Sequence, residues 1–346
     1  MAYTTINKST SYFDTSTWTA TTNAISNLNF SPDWVWIKST DTANGHVLFD
    51  TIRGANKRLT SAGTDAESTR TDELMSFDSN GYTLGSSGNT NDTSPSNASY
   101  VGWSWRGSDS SAASNSDGSI TSTVSANTTA GFSIVSYTGT GANATVGHGL
   151  GAIPKMVIIK DRDATKDWTI YHNSIGATKF IELNTNLASQ TNNTAFNDTA
   201  PTNQVFSIGT GGTINTSGNT YIAYCFAEVP GYSKFGSYTG NGSADGPFIY
   251  TGFKPAFFMI KMTSSTDNWI IQDNKRNTSN ISTNQRLRAN SNNAEFSSSN
   301  TIDLYSNGFK AMSGSDGEFN GNGSTYIYMA FGQTLVGSNN VPCTAR

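Results

Sequence analysis

Three histidines are the first side chains in this chain that could act as general bases or metal ligands. His46, His148 and His172 stand far apart, and none is spaced with a cysteine or a second histidine as a metal site requires. His148 lies in the run 146–152, where glycines border it on both sides, and this pattern is typical of a turn. The histidine spacing therefore favours structural roles over chemistry.

Acidic side chains could also do chemistry, and the densest group is Asp161, Asp163 and Asp167. An Asp-x-Asp pair can begin a calcium loop, but the glycine and the closing glutamate of an EF-hand are absent here. A glycosidase needs two opposed carboxylates, and no Asp or Glu pair recurs along the chain. These residues do not predict a metal or hydrolase site.

Glycine-rich segments give no stronger sign of catalysis. Gly139–Gly141 and Gly240–Gly242 resemble fragments of a phosphate loop, but no helix is predicted after either, so both indicate hairpin turns. The Gly-x-Ser-x-Gly motif in a strand–turn–helix setting is missing. We therefore predict a protein that is not an enzyme, with no catalytic, cofactor-binding or metal-ligating residues. The sequence does not specify ligand-binding residues.

The composition indicates a folded chain whose surface is polar and carries few charges. Charged residues make up 13% and aromatic residues 11% of the 346 residues, and the net charge is −4. Because nucleic-acid binding depends on Lys and Arg at phosphates, we expect no nucleic-acid partner. We also expect no membrane insertion and no cleaved secretory signal, since Met1–Thr10 and the rest of the chain lack long apolar runs.

One pattern occurs three times in the chain: proline, any residue, three apolar residues, then Ile-Lys. The copies are Pro32–Lys38, Pro154–Lys160 and Pro255–Lys261. Fourteen residues after the prolines stand His46, Trp168 and Trp269, so we interpret His46 as a packing residue. Each copy ends on an aromatic segment: Tyr100–Trp105, Tyr221–Phe226 and Tyr326–Phe331.

These repeats predict three related domains in tandem. We place them at residues 1–108, 129–230 and 231–336, with a C-terminal tail at 337–346. The Ser/Asn/Thr-rich segment 109–128 is interpreted as a linker or as an extended, strand-like connector. A repeat of this length has the size of an independent domain and is too long for a solenoid unit. Of the two cysteines, Cys225 is expected to be a small buried strand residue, and Cys343 could be free or bonded.

The repeated segments indicate an all-β fold. The Pro-x-apolar-Ile-Lys runs are typical of strands buried on both faces. In the closing segments the large residues alternate, so that Val101, Trp103 and Trp105 share one face, while the small residues Gly102 and Ser104 on the other suggest close packing. We predict three tandem, related β-sandwich domains, jelly-roll-like, and one short helix within 64–74.

The repeated lysines and the tryptophans also have structural interpretations. Lys38, Lys160 and Lys261 follow strands predicted to be buried, which suggests a structural salt link or a side chain whose stem is buried and whose amine reaches water. Six tryptophans could stack on sugars as lectin aromatics do, but their strand positions favour core packing: Trp34, Trp36, Trp103, Trp105, Trp168 and Trp269.

The repeats also resemble a known group of proteins. Gly131–Gly141, His148–Gly151 ahead of Pro154–Lys160, Gly231–Gly240 and Tyr326–Phe331 resemble tandem-domain proteins of marine bacteriophages, including phages of cyanobacteria. Such proteins are uncharacterised or are called tail fibre or virion structural proteins. The resemblance covers nearly the whole chain and supplies no catalytic residues.

The resemblance implies a structural component of a virion, in a tail fibre, a head fibre or a capsid decoration. Such a protein would display β-domains for host attachment on the exposed capsid or tail surface, after synthesis in the host cytoplasm. Its expected partners are other virion proteins and further copies of itself, with a trimer as one option. The alternative is a lectin-like module that binds host surface polysaccharide. A polysaccharide-degrading tailspike fits less well, because those proteins usually carry a long β-helix.

Overall fold

The computed structural model of the chain describes residues 4–20, 23–92, 98–108, 110–278, 280, 283–299, 301–314 and 316–333. These residues form 28 strands, one short 3-10 helix (Ser9–Ser11) and two short α-helices, α1 (Asn193–Phe196) and α2 (Gly317–Asn320). Cys343 and the predicted tail lie outside the described residues. We refer to three units, named in chain order after the three sequence repeats.

The strands of each unit follow in chain order. The first unit holds β1 (Phe13–Thr19), β2 (Ala24–Ile25), β3 (Trp34–Ser39), β4 (Val47–Asp50), β5 (Lys57–Thr60), β6 (Ser68–Thr69), β7 (Leu74–Asp78), β8 (Gly81–Leu84) and β9 (Ser99–Trp105). The second holds β10 (Ala113–Asn115), β11 (Ser122–Asn127), β12 (Phe132–Thr138), β13 (Ala144–Gly147), β14 (Pro154–Asp161), β15 (Thr169–His172), β16 (Lys179–Glu182), β17 (Gln190–Thr191), β18 (Val205–Ile208) and β19 (Thr220–Ala227). The third holds β20 (Ser233–Thr239), β21 (Phe248–Tyr250), β22 (Pro255–Met262), β23 (Trp269–Asp273), β24 (Asn284–Arg288), β25 (Phe296–Ser298), β26 (Thr301–Tyr305), β27 (Gly308–Met312) and β28 (Thr325–Gly332).

The three units share one strand order in their large sheets. That order is β1-β9-β3-β4-β5-β6 in the first, β12-β19-β14-β15-β16-β17 in the second and β20-β28-β22-β23-β24-β25 in the third. In each case the closing strand (β9, β19 or β28) lies between β1, β12 or β20 on one side and the strand that begins near the repeated proline on the other. In the second unit β10 and β11 extend this sheet beyond β12. The paired strands are antiparallel. The predicted all-β fold is therefore confirmed.

Each large sheet covers a small sheet to form a sandwich-like unit. The small sheets are β2-β8-β7, β13-β18 and β21-β27-β26. In the first unit Val35 and Ile37 point into the core between the two sheets. Gly102 lies on this inner face, where an added Cβ would come within 2.4 Å of the Tyr82 hydroxyl. The close packing predicted from the small residues is confirmed, whereas the jelly-roll description stays a prediction.

The opposite faces of the three large sheets meet in one central core. Trp34 and Trp36 of β3 point into this core, because successive strand residues face opposite sides. The indole of Trp34 stacks on Tyr224 of the second unit, with ring centroids 4.4 Å apart, and Trp105 meets Phe257 and Phe331 of the third unit. All three units therefore bury one face of their large sheet against the other two.

Main-chain hydrogen bonds close the units into a ring. The acceptor carbonyls lie eight residues after the three repeated prolines, so the same position of each unit is used. The bonds run from Glu67 N–H to Arg162 O at 2.8 Å, from Ser189 N–H to Thr263 O at 3.0 Å and from Glu295 N–H to Thr40 O at 2.7 Å. Because they link first to second, second to third and third to first, the chain has threefold pseudosymmetry.

A second set of contacts explains the residues fourteen positions after the repeated prolines, which are His46, Trp168 and Trp269. We call this the Trp/Trp/His position. The indole N–H of Trp168 donates to the Thr60 carbonyl at 2.8 Å, and that of Trp269 donates to the Glu182 carbonyl at 2.8 Å. In the first unit the position is His46, which lies against the backbone of Arg288 without a hydrogen bond of full geometry. The packing role predicted for His46 extends across a junction between units.

Two segments have conformations that depend on contacts with the rest of the fold. The helix predicted within 64–74 is absent: Ser68–Thr69 form β6, and the preceding Glu67 donates its N–H to the ring of bonds between units. That tertiary contact competes with a helical hydrogen bond for the same N–H group. Within the expected linker 109–128, β10 and β11 extend the second sheet, so this segment contributes to the fold of the second unit.

Candidate functional site

The three repeated lysines are buried and donate to main-chain carbonyls, and two of them reach a neighbouring unit. Lys160 Nζ donates to the carbonyl of Thr64 in the first unit at 3.1 Å, and Lys261 Nζ to that of Asn186 in the second at 3.4 Å. Lys38 Nζ donates to the Thr42 carbonyl at 3.0 Å. Burial lowers the pKa of each ammonium group to about 8. The ammonium groups donate to main-chain oxygens within the protein. They do not reach solvent, which was one of the two options suggested by the sequence.

The acidic cluster organises the loop after β14. Asp161 Oδ1 accepts from the N–H groups of Asp163 and Ala164, at 2.9 and 3.0 Å, and Asp167 accepts from Asn184 Nδ2 at 2.7 Å. Within the described ranges no group of three or more His, Cys, Asp or Glu side chains is arranged to hold a metal ion. The carboxylates thus bind amide groups of the chain itself.

One member of that cluster belongs to a repeated feature that the sequence did not reveal. Nine residues after each proline, a side chain accepts the N–H of the first residue of the closing strand. The pairs are Asp41 with Ser99 at 2.7 Å, Asp163 with Thr220 at 2.6 Å and Ser264 with Thr325 at 3.0 Å. Sequence comparison missed the feature because a hydroxyl replaces the carboxylate in the third unit.

The three histidines are buried and lie in different settings. Trp36 Nε1 donates to His46 Nδ1 at 2.8 Å in the central core. His148 Nδ1 accepts from the Leu150 N–H at 3.2 Å, just after β13. His172 Nε2 donates to the Tyr328 carbonyl of the third unit at 3.2 Å. Burial lowers the pKa of all three imidazoles.

His172 should make the protein sensitive to acid. Burial lowers its pKa from 6.5 to about 4, so the unfolded chain binds more protons between these values. The stability contributed by the neutral ring is fully present above pH 6.5 and is lost as the pH falls toward 4. We expect His172→Asn to reduce this loss, because the amide oxygen can still accept from Ser174 N–H, as His172 Nδ1 does at 3.2 Å.

Urea unfolding of the wild type and His172→Asn at several pH values between 7 and 4 would check this prediction. The difference in unfolding free energy between the two proteins should shrink or reverse as the solution becomes more acidic. A difference that stays constant over this range would show that His172 does not carry the acid sensitivity.

A groove lies at the junction of the first and third units. It has a volume of about 490 Å³, and its walls include Trp18, Tyr100, Arg276 and Glu295. The Arg276 guanidinium lies between the carboxylates of Glu295 and Asp273, so its charge is paired within the protein. A smaller groove of about 350 Å³ occupies the matching position between the second and third units. Both grooves lie where neighbouring units of the ring meet.

The most exposed aromatic side chains in the described ranges lie together on the third unit. Phe248, Tyr250 and Tyr305 are 46%, 60% and 37% exposed, and we call these three residues the aromatic patch. Phe248 and Tyr250 share the outer face of β21, and Ile249 between them is buried. The Phe248 and Tyr305 rings meet edge to face with centroids 5.7 Å apart. The patch is a candidate binding surface because its rings are open to solvent.

Sequence reasoning predicted core packing for the six strand tryptophans, and all six are fully buried. It did not single out the aromatic patch. The available signal was the alternation Phe248-Ile249-Tyr250, which places two aromatic side chains on the face opposite a buried isoleucine. Without the tertiary structure, that alternation does not say which of the two faces is covered.

The fold and these sites define an all-β protein of three sandwich-like units closed into a pseudo-threefold ring, with solvent-exposed aromatic side chains on one unit. A family described as a domain of unknown function, DUF7483, matches residues 8–334, and the chain belongs to this family. A comparison with curated proteins gives no match. No helix in the described ranges has the length and apolar character that a membrane crossing needs.

Proposed function

We propose that this chain is a structural component of a bacteriophage virion, in a tail fibre, a head fibre or a capsid decoration. It would display its β-units for host attachment on the exposed surface of the capsid or tail. This proposal rests on the structural role of the repeated residues in the fold. The repeated lysines, the Trp/Trp/His position and the closing strands all build the central core and the ring.

The ring supports this function because it yields a rigid body from one polypeptide. Each unit buries one sheet face in a core shared with the other two, so the units hold fixed relative positions and present their outer loops and small sheets outward. Homotrimers are common among phage fibres, and three related units in one chain reproduce a trimer-like body. The proposed partners remain other virion proteins and further copies of this chain.

Immunogold electron microscopy of purified phage particles, with antibody against the recombinant chain, tests the proposal. Label on the capsid or on the tail is the expected result and distinguishes a tail fibre from the two capsid locations. Mass spectrometry of the same particles should detect the chain at several copies per virion. Particles that carry neither label nor peptides would reject the structural role.

A second candidate function is binding to host surface polysaccharide, and the aromatic patch favours it. Exposed Phe and Tyr rings offer flat apolar faces beside polar groups, which is the surface that sugars use in lectin-like proteins. This candidate is compatible with the first, since a virion protein can attach to its host through a glycan.

A further inference from the structure

We propose that the outer face of the β21-β27-β26 sheet is a binding site for neutral pyranose polysaccharide, with the aromatic patch as its stacking platform. This inference rests on the second candidate function and gives it a site and a ligand class. It does not depend on where in a virion the protein resides.

The register of the sheet places the patch on one flat surface. Tyr250 and Tyr305 both pair with Gly308 of β27, so they flank a position without a side chain. The Phe248 ring covers that position: an added Cβ at Gly308 would come within 2.8 Å of its Cζ. The three rings therefore lie around one glycine and form a continuous platform.

Polar groups border the rings in the neighbouring row of the same face. Phe248 and Asp303 both pair with Lys310, and Lys310 forms an ion pair with the exposed carboxylate of Asp245. The ammonium group donates hydrogen bonds and the carboxylates accept them, as sugar hydroxyls require. Aromatic faces carry partial negative charge and attract the weakly positive C–H groups of a pyranose ring.

The charges at this border favour a neutral ligand. Two carboxylates, Asp245 and Asp303, face one ammonium group, Lys310, so the site has a small excess of negative charge. Acidic polysaccharides would be repelled by that excess. The ligands that fit this border are therefore uncharged pyranose chains.

The patch is too small to be a protein interface by itself. A buried aromatic side chain covers about 150–250 Å², so three rings that are about half exposed offer roughly 300 Å². A stable protein–protein interface buries about 800 Å² on each partner. A few sugar rings match the platform, whereas a second copy of this chain would need a much larger surface.

The first unit shows that the fold does not require these rings. Its small sheet has the same arrangement, with Gly81 approaching the Ile25 carbonyl as Gly308 approaches that of Ile249. Yet Ala24 and Asp78 occupy the positions of Phe248 and Tyr305 there. Ser26, two residues after Ala24, corresponds to Tyr250. The first unit thus lacks the aromatic patch.

The test uses the full chain and the triple variant Phe248→Ala/Tyr250→Ser/Tyr305→Asp, which carries the first unit's own residues. Both proteins are run in native gels containing hydroxyethylcellulose, xylan, a neutral galactan or alginate, and both are applied to a glycan array. We expect at least one neutral pyranose glycan to bind the wild type, and the triple variant to bind it roughly tenfold more weakly or worse.

Met75→Ala is the matched control, because Met75 is 50% exposed on the first unit and should not affect binding. The triple variant should keep the wild-type melting temperature. The proposal is overturned if no neutral glycan binds the wild type, or if the triple variant binds as well as the wild type. It is also overturned if the triple substitution abolishes self-association while neither protein binds a glycan. Virion labelling is a separate measurement, so it can succeed when this test fails.

Discussion

Replacing Trp34 by alanine is expected to lower the free energy of unfolding by about 3–5 kcal/mol, because it opens a cavity in the central core. The Trp34 side chain is fully buried and contacts Trp105 of its own unit with ring centroids 4.4 Å apart. It also contacts Tyr224, Phe132 and Phe226 of the second unit. The cavity would weaken the first and second units together.

Guanidinium unfolding followed by circular dichroism and by tryptophan fluorescence measures this effect. Because the units share one core, we expect a single transition in the wild type and in Trp34→Ala, shifted to lower denaturant in the variant. Met75→Ala, at an exposed position, should change the unfolding free energy by less than about 0.5 kcal/mol. Two separate transitions, with only one of them shifted, would show that the units fold independently.

Replacing Arg53 by methionine is expected to destabilise the protein by about 3–5 kcal/mol, since it leaves a buried carboxylate without its cation. Arg53 pairs with Asp50, and both side chains are fully buried. The Tyr224 hydroxyl of the second unit donates to Asp50 Oδ2 at 2.8 Å. The ion pair therefore also fixes the junction between the first and second units.

The second unit suggests a compensating change for this ion pair. It carries His172 and Ile175 at the positions of Asp50 and Arg53. We expect the double variant Asp50→His/Arg53→Ile to be more stable than Arg53→Met, because no unpaired carboxylate remains. Urea unfolding at pH 7 would compare the three proteins. A double variant as unstable as Arg53→Met would mean that the hydrogen bond to Tyr224 matters more than the ion pair.

The prediction of strands from sequence worked where the relevant pattern was local. Alternation in Tyr100–Trp105 correctly assigned Trp103 and Trp105 to one buried face, and the apolar run after Pro32 correctly indicated a strand buried on both sides. Side-chain alternation is a property of the strand itself, so no distant contact is needed to infer it.

The prediction of the helix within 64–74 was wrong for the opposite reason. Local residue types in that segment permit a helix, but its backbone takes part in contacts with the second unit, through Glu67 N–H and the Thr64 carbonyl. Such contacts override weak local preferences. Sequence reasoning also missed the aromatic patch, because the exposure of Phe248 and Tyr250 depends on what covers their sheet.

The sequence by itself determined the strand content, the three repeats and the residues that face a core, because these follow from short-range periodicity and spacing. Only the tertiary structure decided what packs on each face of a large sheet. The small sheet of the same unit covers one face, and the other two units cover the opposite face. It also decided that Lys160, Lys261, Trp168 and Trp269 bond to carbonyls of neighbouring units. Those partners are distant along the chain, and only the closure of the ring brings them together.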